Sequence, residues 1–235
     1  MVVNNKKTFH HVEKQHAFEP LECVTTNEGR YYTTPDGERY YSVTTVTGHK
    51  KKKFFAEWRR NNPDESKRVT VRGNYLHSII EDYLNNKEEL EPKGSEVLLF
   101  KQMISQLNNI DNIHALEVPL YSKLLKLAGR VDCIAEYNGV LSVIDFKGSS
   151  KEKRPSDIDN YFEQATAYAI MWKELTGESI GQIVVLISSE DGTVQEFVEN
   201  PVNFVPSLRQ TINDFRKSTQ DDIVPQQGSV LMSRV

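Results

Sequence analysis

Residues 129–148, GRVDCIAEYNGVLSVIDFKG, restrict this chain more than any other stretch, because two apolar runs meet there at Asn138-Gly139. Asn-Gly between alternating hydrophobic residues predicts a two-residue β-hairpin, since both turn positions need φ > 0. Such a turn sets Tyr137 opposite Val140, and counting outward brings Asp132 opposite Asp145. Directly opposed residues hold their Cβ atoms about 5 Å apart. Two carboxylates at that separation repel by about 3 kcal/mol at an effective dielectric of about 20. A purely structural hairpin gains nothing from this pairing. A divalent cation between the acids turns the repulsion into a binding site, and hard oxygen ligands suit Mg²⁺ or Mn²⁺. Period-2 alternation adds Lys147 to the face of Asp145, at the strand end where a scissile phosphate would lie.

Length and charge narrow the setting. A chain of 235 residues is expected to fold as one domain, here 28–220, large enough to bury a core without disulfide or metal staples. Residues 1–27, polar and carrying His10, His11 and His16, read as a mobile leader, and 221–235 as a C-terminal tail. No apolar run approaches the roughly 20 residues that span a bilayer, so no membrane association is expected. The first residues carry neither a secretory signal nor a transit-peptide bias, so the cytoplasm is expected, or the host cytoplasm for a phage protein. Mitochondrial residence stays open without a visible transit peptide. Cys23 and Cys133 are the only cysteines, too few for an iron–sulfur cluster or a four-cysteine zinc site.

The net charge of −4 opposes a protein that coats nucleic acid through bulk positive potential. The charge is uneven, however: residues 49–72 hold nine Lys or Arg against Glu57, Asp64 and Glu65. Two readings stand side by side, a solvated helix face and a groove that tracks a phosphate backbone.

Along the chain, Pro35-Asp36-Gly37 predicts a turn between two short strands. A helical segment follows from near Thr45 or Lys50 through KKKKFFAEWRRN, weakened at its start by Gly48. Of its aromatics Phe54, Phe55 and Trp58, at least two are expected in the core, stacking on bases being the other use of such rings. Residues 72–86 read as an amphipathic helix whose Leu76, Ile79, Ile80, Tyr83 and Leu84 face the core. His77 and Glu81, four apart, project together from its border, either a surface couple or a ligand with its orienting partner. Gly94-Ser95 reads as the cap of a helix to about residue 107, and 113–121 as a strand with Glu117 at its middle. Glu117 either faces solvent or supplies a third carboxylate. A basic loop follows Lys147, then a helix over 159–175 presents Phe162, Ala165, Ala169 and Trp172 on one side and Gln164 and Tyr168 on another. Strands over 180–188 and 193–198 and a helix over 204–215 complete the pattern.

Taken in order, GNYLHSIIEDYL, LEVPLY, GRVD, VIDFK and QATAY resemble the histidine, acidic, metal-binding and Gln-x-x-x-Tyr segments of the PD-(D/E)xK nuclease superfamily. Within it the likeness is to the RecB-like exonucleases, among them the mitochondrial genome maintenance and related phage exonucleases, which also share SVTTV. The resemblance implies an α/β fold with a restriction-endonuclease-like core, a central mixed β-sheet flanked by α-helices. It implies a DNA exonuclease using one or two Mg²⁺ or Mn²⁺ ions on free ends of single strands. Asp132, Asp145, Lys147 and Glu117 would be catalytic. Metal ligands would be His77, Asp132, Asp145 and the Phe146 carbonyl, supported by Glu81, Gln164 and Tyr168. DNA contacts are expected from Ser42, Thr44, Lys50, Lys53, Trp58, Arg72, Arg130 and Lys151. Gly148 departs from the family, which more often carries Thr after the lysine. A structure-specific endonuclease on the same fold, or a DNA-binding module without turnover, are the rival readings.

Overall fold

The computed structural model describes residues 7–13, 16–90 and 96–221. The organising hairpin is present: β5 (Leu127–Tyr137) and β6 (Val140–Ser149) turn at Asn138 (φ 52°) and Gly139 (φ 79°). Tyr137 pairs with Val140, and the ladder runs outward to Cys133–Ile144. It stops one step before the two acids. There Asp132 Oδ2 accepts the backbone N–H of Phe146 at 2.9 Å, a carboxylate standing where a strand carbonyl would continue the ladder.

The remaining elements are β1 (Glu22–Thr25), β2 (Arg30–Thr33), β3 (Arg39–Ser42), α1 (Val43–Thr47), α2 (Lys52–Asn61), α3 (Pro63–Leu84), α4 (Glu96–Leu107), β4 (Ile110–Ser122), α5 (Asp159–Thr176), β7 (Gln182–Ser189), β8 (Val194–Glu199) and α6 (Val205–Asp221). The strands form one mixed sheet in the order β1-β2-β3-β5-β6-β7-β8, with β4 on β5 beside that path. Two partners share the other edge of β5. Parallel β3 holds Leu127 and Ala128, and β6 begins at Cys133. Between them residues 129–132 have no strand on that edge, so the sheet forks at Asp132.

Helices cover both faces. Parallel β6 and β7 require a crossover, which α5 supplies. It packs with α1 and α6 over Val131, Ile134, Val143 and Val185. On the opposite face α3 and α4 cover Cys133, Ile144, Phe146 and Leu186. Leu76, Ile80 and Leu84 of α3 are essentially fully buried, each worth about 1.5–3 kcal/mol of apolar transfer.

Five expectations change. Gly48 closes α1, and a short 3-10 turn (His49–Lys51) intervenes before α2, so of the two expected starts the one near Lys50 agrees with α2 and the one near Thr45 does not. Helix α3 begins at Pro63 rather than residue 72, because its first turns are largely exposed and show no apolar period. Residues 7–13 and 16–27, expected as a mobile leader, pack onto the fold. Phe9 is buried, Val12 and His10 bond both backbone groups of Ile113, and Phe18 lies against Trp172. Finally, α2 has no buried residue, and Phe54 and Phe55 are exposed, overturning the core assignment of two of its aromatics. Helix α6 runs to Asp221, past the expected end. The expected Gly94-Ser95 cap and positions 222–235 of the tail lie outside the described residues. No helix among those described is long and apolar enough to cross a membrane.

One ion-pair cluster ties α3 to the far end of the sheet. Arg72 is buried, and its Nη1 lies 2.8 Å from Glu190 Oε1, which Arg68 Nη1 also reaches at 2.6 Å. Hydrogen bonds from Arg68, aided by Arg72, hold the Glu190 carboxyl at about 2 against its partial burial. A depressed carboxylate stabilises the fold above its unfolded value of about 4.3 and loses that contribution as pH falls toward the folded value. Glu190→Gln strands a buried guanidinium, so chemical denaturation at neutral pH is expected to show a loss of about 1–3 kcal/mol. The gap to the native protein should narrow between about pH 5 and about pH 2. A gap that is constant across this range would remove Glu190 from the account.

Candidate active site

The fork in the sheet opens into a cavity of about 930 Å³, lined by Ser42, Thr44, His77, Glu81, Glu117, Arg130, Asp132, Lys147, Gln164 and Tyr168 of the expected site residues. Each element delivers its residue for a local reason. The ladder between β5 and β6 ends at Cys133, leaving Asp132 at the opening. Period-2 alternation along β6 puts Asp145 and Lys147 on one face, and Lys147 Nζ lies 2.6 Å from each Asp145 oxygen. On α3 the polar residues Thr70, Gly73, Asn74, His77, Ser78 and Glu81 form a stripe at helical spacing beside the apolar one, and this stripe lines the cavity.

Glu117 reaches the site through strained backbone. Its neighbours stay in register, Leu116 with Cys133 and Val118 with Val131, while Glu117 itself has φ 50°. A non-glycine residue in the left-handed region costs about 1–2 kcal/mol. The return is position: Glu117 Oε1 and Asp132 Oδ1 each lie 3.5 Å from His77 Nδ1. The structure thus places Glu117 at the cavity beside His77 rather than toward open solvent.

The charges are unbalanced. Burial disfavours a charged His77, but Asp132 and the bond to Glu117 outweigh it and push the imidazole up to about 9. Burial raises Asp145 to about 6, opposed by Lys147 and assisted by Asp132. Burial also works against the Lys147 ammonium, and the two aspartates hold it protonated more firmly than usual. Glu81 is raised by burial and then by the charge of Glu117. The expected couple of Glu81 with His77 does not form: among the described residues the acids within ion-pair distance of His77 are Glu117 and Asp132.

The donor set fits a hard divalent cation. One ligand atom each of His77, Glu117 and Asp132 lie within 4.8 Å of one another. Beside them Asp145 Oδ2 is buried without a well-directed hydrogen bond, although the Lys147 ammonium is close. Carboxylate oxygens with one imidazole suit Mg²⁺ or Mn²⁺, whereas no cysteine joins the group. Phe146 lies between Asp145 and Lys147, its N–H committed to Asp132.

The other expected residues divide. Gln164 and Tyr168 are buried and line the cavity. Tyr168 fits so closely under Gly129 that a Cβ there would stand 2.6 Å from its hydroxyl. Ser42 caps α1 by accepting the Thr45 N–H at 3.0 Å, and it lines the cavity with Thr44 and exposed Arg130. Lys50, Lys53 and Lys151 are exposed, and Trp58 is half-buried, all outside that lining. Arg72, expected at the nucleic-acid surface, is instead buried against Glu190. Gly148 packs closely under α3: an added Cβ would meet the tip of Leu76 at 3.3 Å and Leu99 at an ordinary 3.5 Å, so a side chain there requires Leu76 to yield by a few tenths of an ångström.

Tyr161 was not anticipated. Its ring lies 5.1 Å from Lys147 Nζ, a cation–π contact that restrains the ammonium. The spacing of 161, 164 and 168 on one helix carries the signal (i, i+3, i+7). Arg30 and Tyr32 of β2 also line the cavity, as do Phe18 and Leu21 from the irregular segment before β1, none of them marked by a strong periodicity.

The sequence profile describing the PD-(D/E)XK nuclease superfamily matches residues 96–230. Human mitochondrial genome maintenance exonuclease 1 is 32% identical over 88 residues, covering 36% of this chain and 26% of the human protein. The mouse protein of the same name is 32% identical over 104 residues, covering 42% and 28%. That of Xenopus tropicalis is 38% identical over 85 residues, covering 34% and 24%. The matches thus span about a quarter of the length of these curated relatives. A solved exonuclease candidate from Eubacterium rectale overlays 71% of this chain and 76% of its own with a TM-score of 0.42 and 13% identity.

Cation binding to the native state alone raises stability, by about 2.7 kcal/mol at a hundredfold excess over Kd. Mg²⁺ or Mn²⁺ is therefore expected to raise the melting temperature, and Asp132→Asn to abolish the rise. An Asp132→Asn protein with the full native shift would remove Asp132 from the ligand set.

Proposed function

The chain belongs to the PD-(D/E)XK nuclease superfamily, and from that premise we propose that it is a metal-dependent exonuclease that hydrolyses DNA from the free ends of single strands. The observation that carries this reading is the meeting of Asp132, Glu117 and His77 with the Asp145–Lys147 pair where β3 and β6 part from β5.

In this reading Asp132, Asp145, His77 and the Phe146 carbonyl hold Mg²⁺ or Mn²⁺, with Glu117 as a further acid. The ion, when bound, polarises the phosphoryl oxygen and lowers the pKa of a coordinated water. The chain's own residues then supply position and charge. Lys147, restrained by Asp145 and the Tyr161 ring, orients the attacking water and sets positive charge where negative charge develops. Arg130, exposed at the cavity rim 4.0 Å from Glu117, faces the strand's phosphates. Gln164 and Tyr168 form the wall behind the reacting group, and Glu81 adds to the negative field that favours the cation.

End-labelled linear and circular single strands, incubated with Mg²⁺, Mn²⁺ or chelator, test the whole reading. Linear strands should be degraded only with the cation, and circles should survive. Asp145→Asn and Lys147→Ala are each expected to lower kcat by about 10²–10³-fold. Cleaved circles would replace the exonuclease with an endonuclease, and unaltered turnover in Asp145→Asn would remove the site assignment.

A further inference from the structure

Helix α2 stands apart in having none of its ten residues buried. Phe54 and Phe55 leave 66% and 43% of their surface in solvent, their rings meeting edge to face with centroids 5.4 Å apart. Trp58 follows at helical spacing on the same side. Exposed large apolar side chains occur singly on most surfaces, whereas a contiguous group marks a contact surface. Around these rings stand Lys52, Lys53, Arg59 and Arg60, and Glu57 is the one acid of the helix.

The location ties this face to the cavity. Helix α2 joins α1, whose Thr44 lines the cavity, to α3, whose Val69, Thr70 and Gly73 line it too. Immediately before α2, Lys51 Nζ donates to Asp157 O at 2.8 Å and to Asn160 Oδ1 at 3.2 Å. These bonds fasten the start of the helix to the end of the loop that follows Lys147 and to the first turn of α5.

We propose that α2 is a stacking platform for the unpaired bases of the nucleic-acid strand, a proposal that rests on the nuclease reading above. Aromatic faces take bases of any sequence, and the lysines and arginines between them take the phosphates. A duplex hides its base faces from such a platform. A second copy meeting through the same helix would set its cationic side chains against their own kind, which disfavours a symmetric pair.

The test compares the wild type with the double variant Phe54→Ala/Phe55→Ala, binding a labelled oligothymidylate or an abasic strand of equal length, with chelator present to prevent hydrolysis. Both side chains are exposed, so the melting temperature should not fall. The variant is expected to bind oligothymidylate about tenfold more weakly or worse, to bind the abasic strand as the wild type does, and to lose most of the base-dependent quenching of Trp58. The platform is overturned by unchanged affinity for oligothymidylate, by equal loss on both strands, by a wild type that binds neither, or by a variant altered only in oligomeric state. A protein that stacks bases yet hydrolyses nothing with Mg²⁺ or Mn²⁺ retires the nuclease reading and leaves the platform standing. Hydrolysis by a variant with undiminished binding retires the platform alone.

Discussion

Electrostatic imbalance at the fork of the sheet is the constraint on which the rest of this structure depends. Four acids, Glu81, Glu117, Asp132 and Asp145, meet His77 and Lys147 at the fork, with the exposed Arg30 and Arg130 also lining the cavity. Apolar burial elsewhere has to offset what this costs: a desolvated aspartate raised to about 6 and a glutamate in the left-handed region. Natural folds retain such features at functional sites, where position is worth more than local stability. The largely buried β5–β6–β7 centre, with helices on both faces, provides the rigid surroundings that hold these groups together.

Topology turns this imbalance into a usable site. Had β6 paired with β5 along its full length, Asp132 and Asp145 would stand as an ordinary cross-strand pair with no opening beside them. Because β3 takes the first two positions of β5 and β6 begins only at Cys133, the edge between them lies open. Helix α5 backs the gap with Tyr161, Gln164 and Tyr168, and α3 walls it with His77. The same arrangement sets Lys147 between an acid and an aromatic ring, so its ammonium is restrained before any substrate arrives.

Legibility in the sequence followed the range of the interactions involved. Asn138-Gly139 dictates a turn through its own φ preferences, and the register from Tyr137–Val140 outward follows by counting. The buried stripe of α3, and α5 from Asp159, were likewise readable, since periodic burial writes itself into the spacing of apolar residues. Glu117 is ambiguous in the sequence because a left-handed residue inside an in-register strand re-aims its side chain without a glycine to announce it. The aromatics of α2 were misread because Phe and Trp at helical spacing look alike whether the face opposite is a core or open solvent. Arg72 sat in a basic stripe by composition, and only Glu190, more than a hundred residues away, shows it to be buried.

What the amino-acid order determined by itself was therefore local: the hairpin and its register as far as Cys133–Ile144, the lysine beyond it, the helical stripes, and an absence of the cysteines an iron–sulfur cluster needs. Tertiary structure decided which of these meet. It set His77 against Glu117 and Asp132 rather than Glu81, it drew residues 7–13 and 16–27 onto the fold, and it left α2 uncovered. The physical reason is that backbone preference and periodicity act over a few residues, whereas the fields and contacts that assign roles arise between segments joined only when the sheet closes its order.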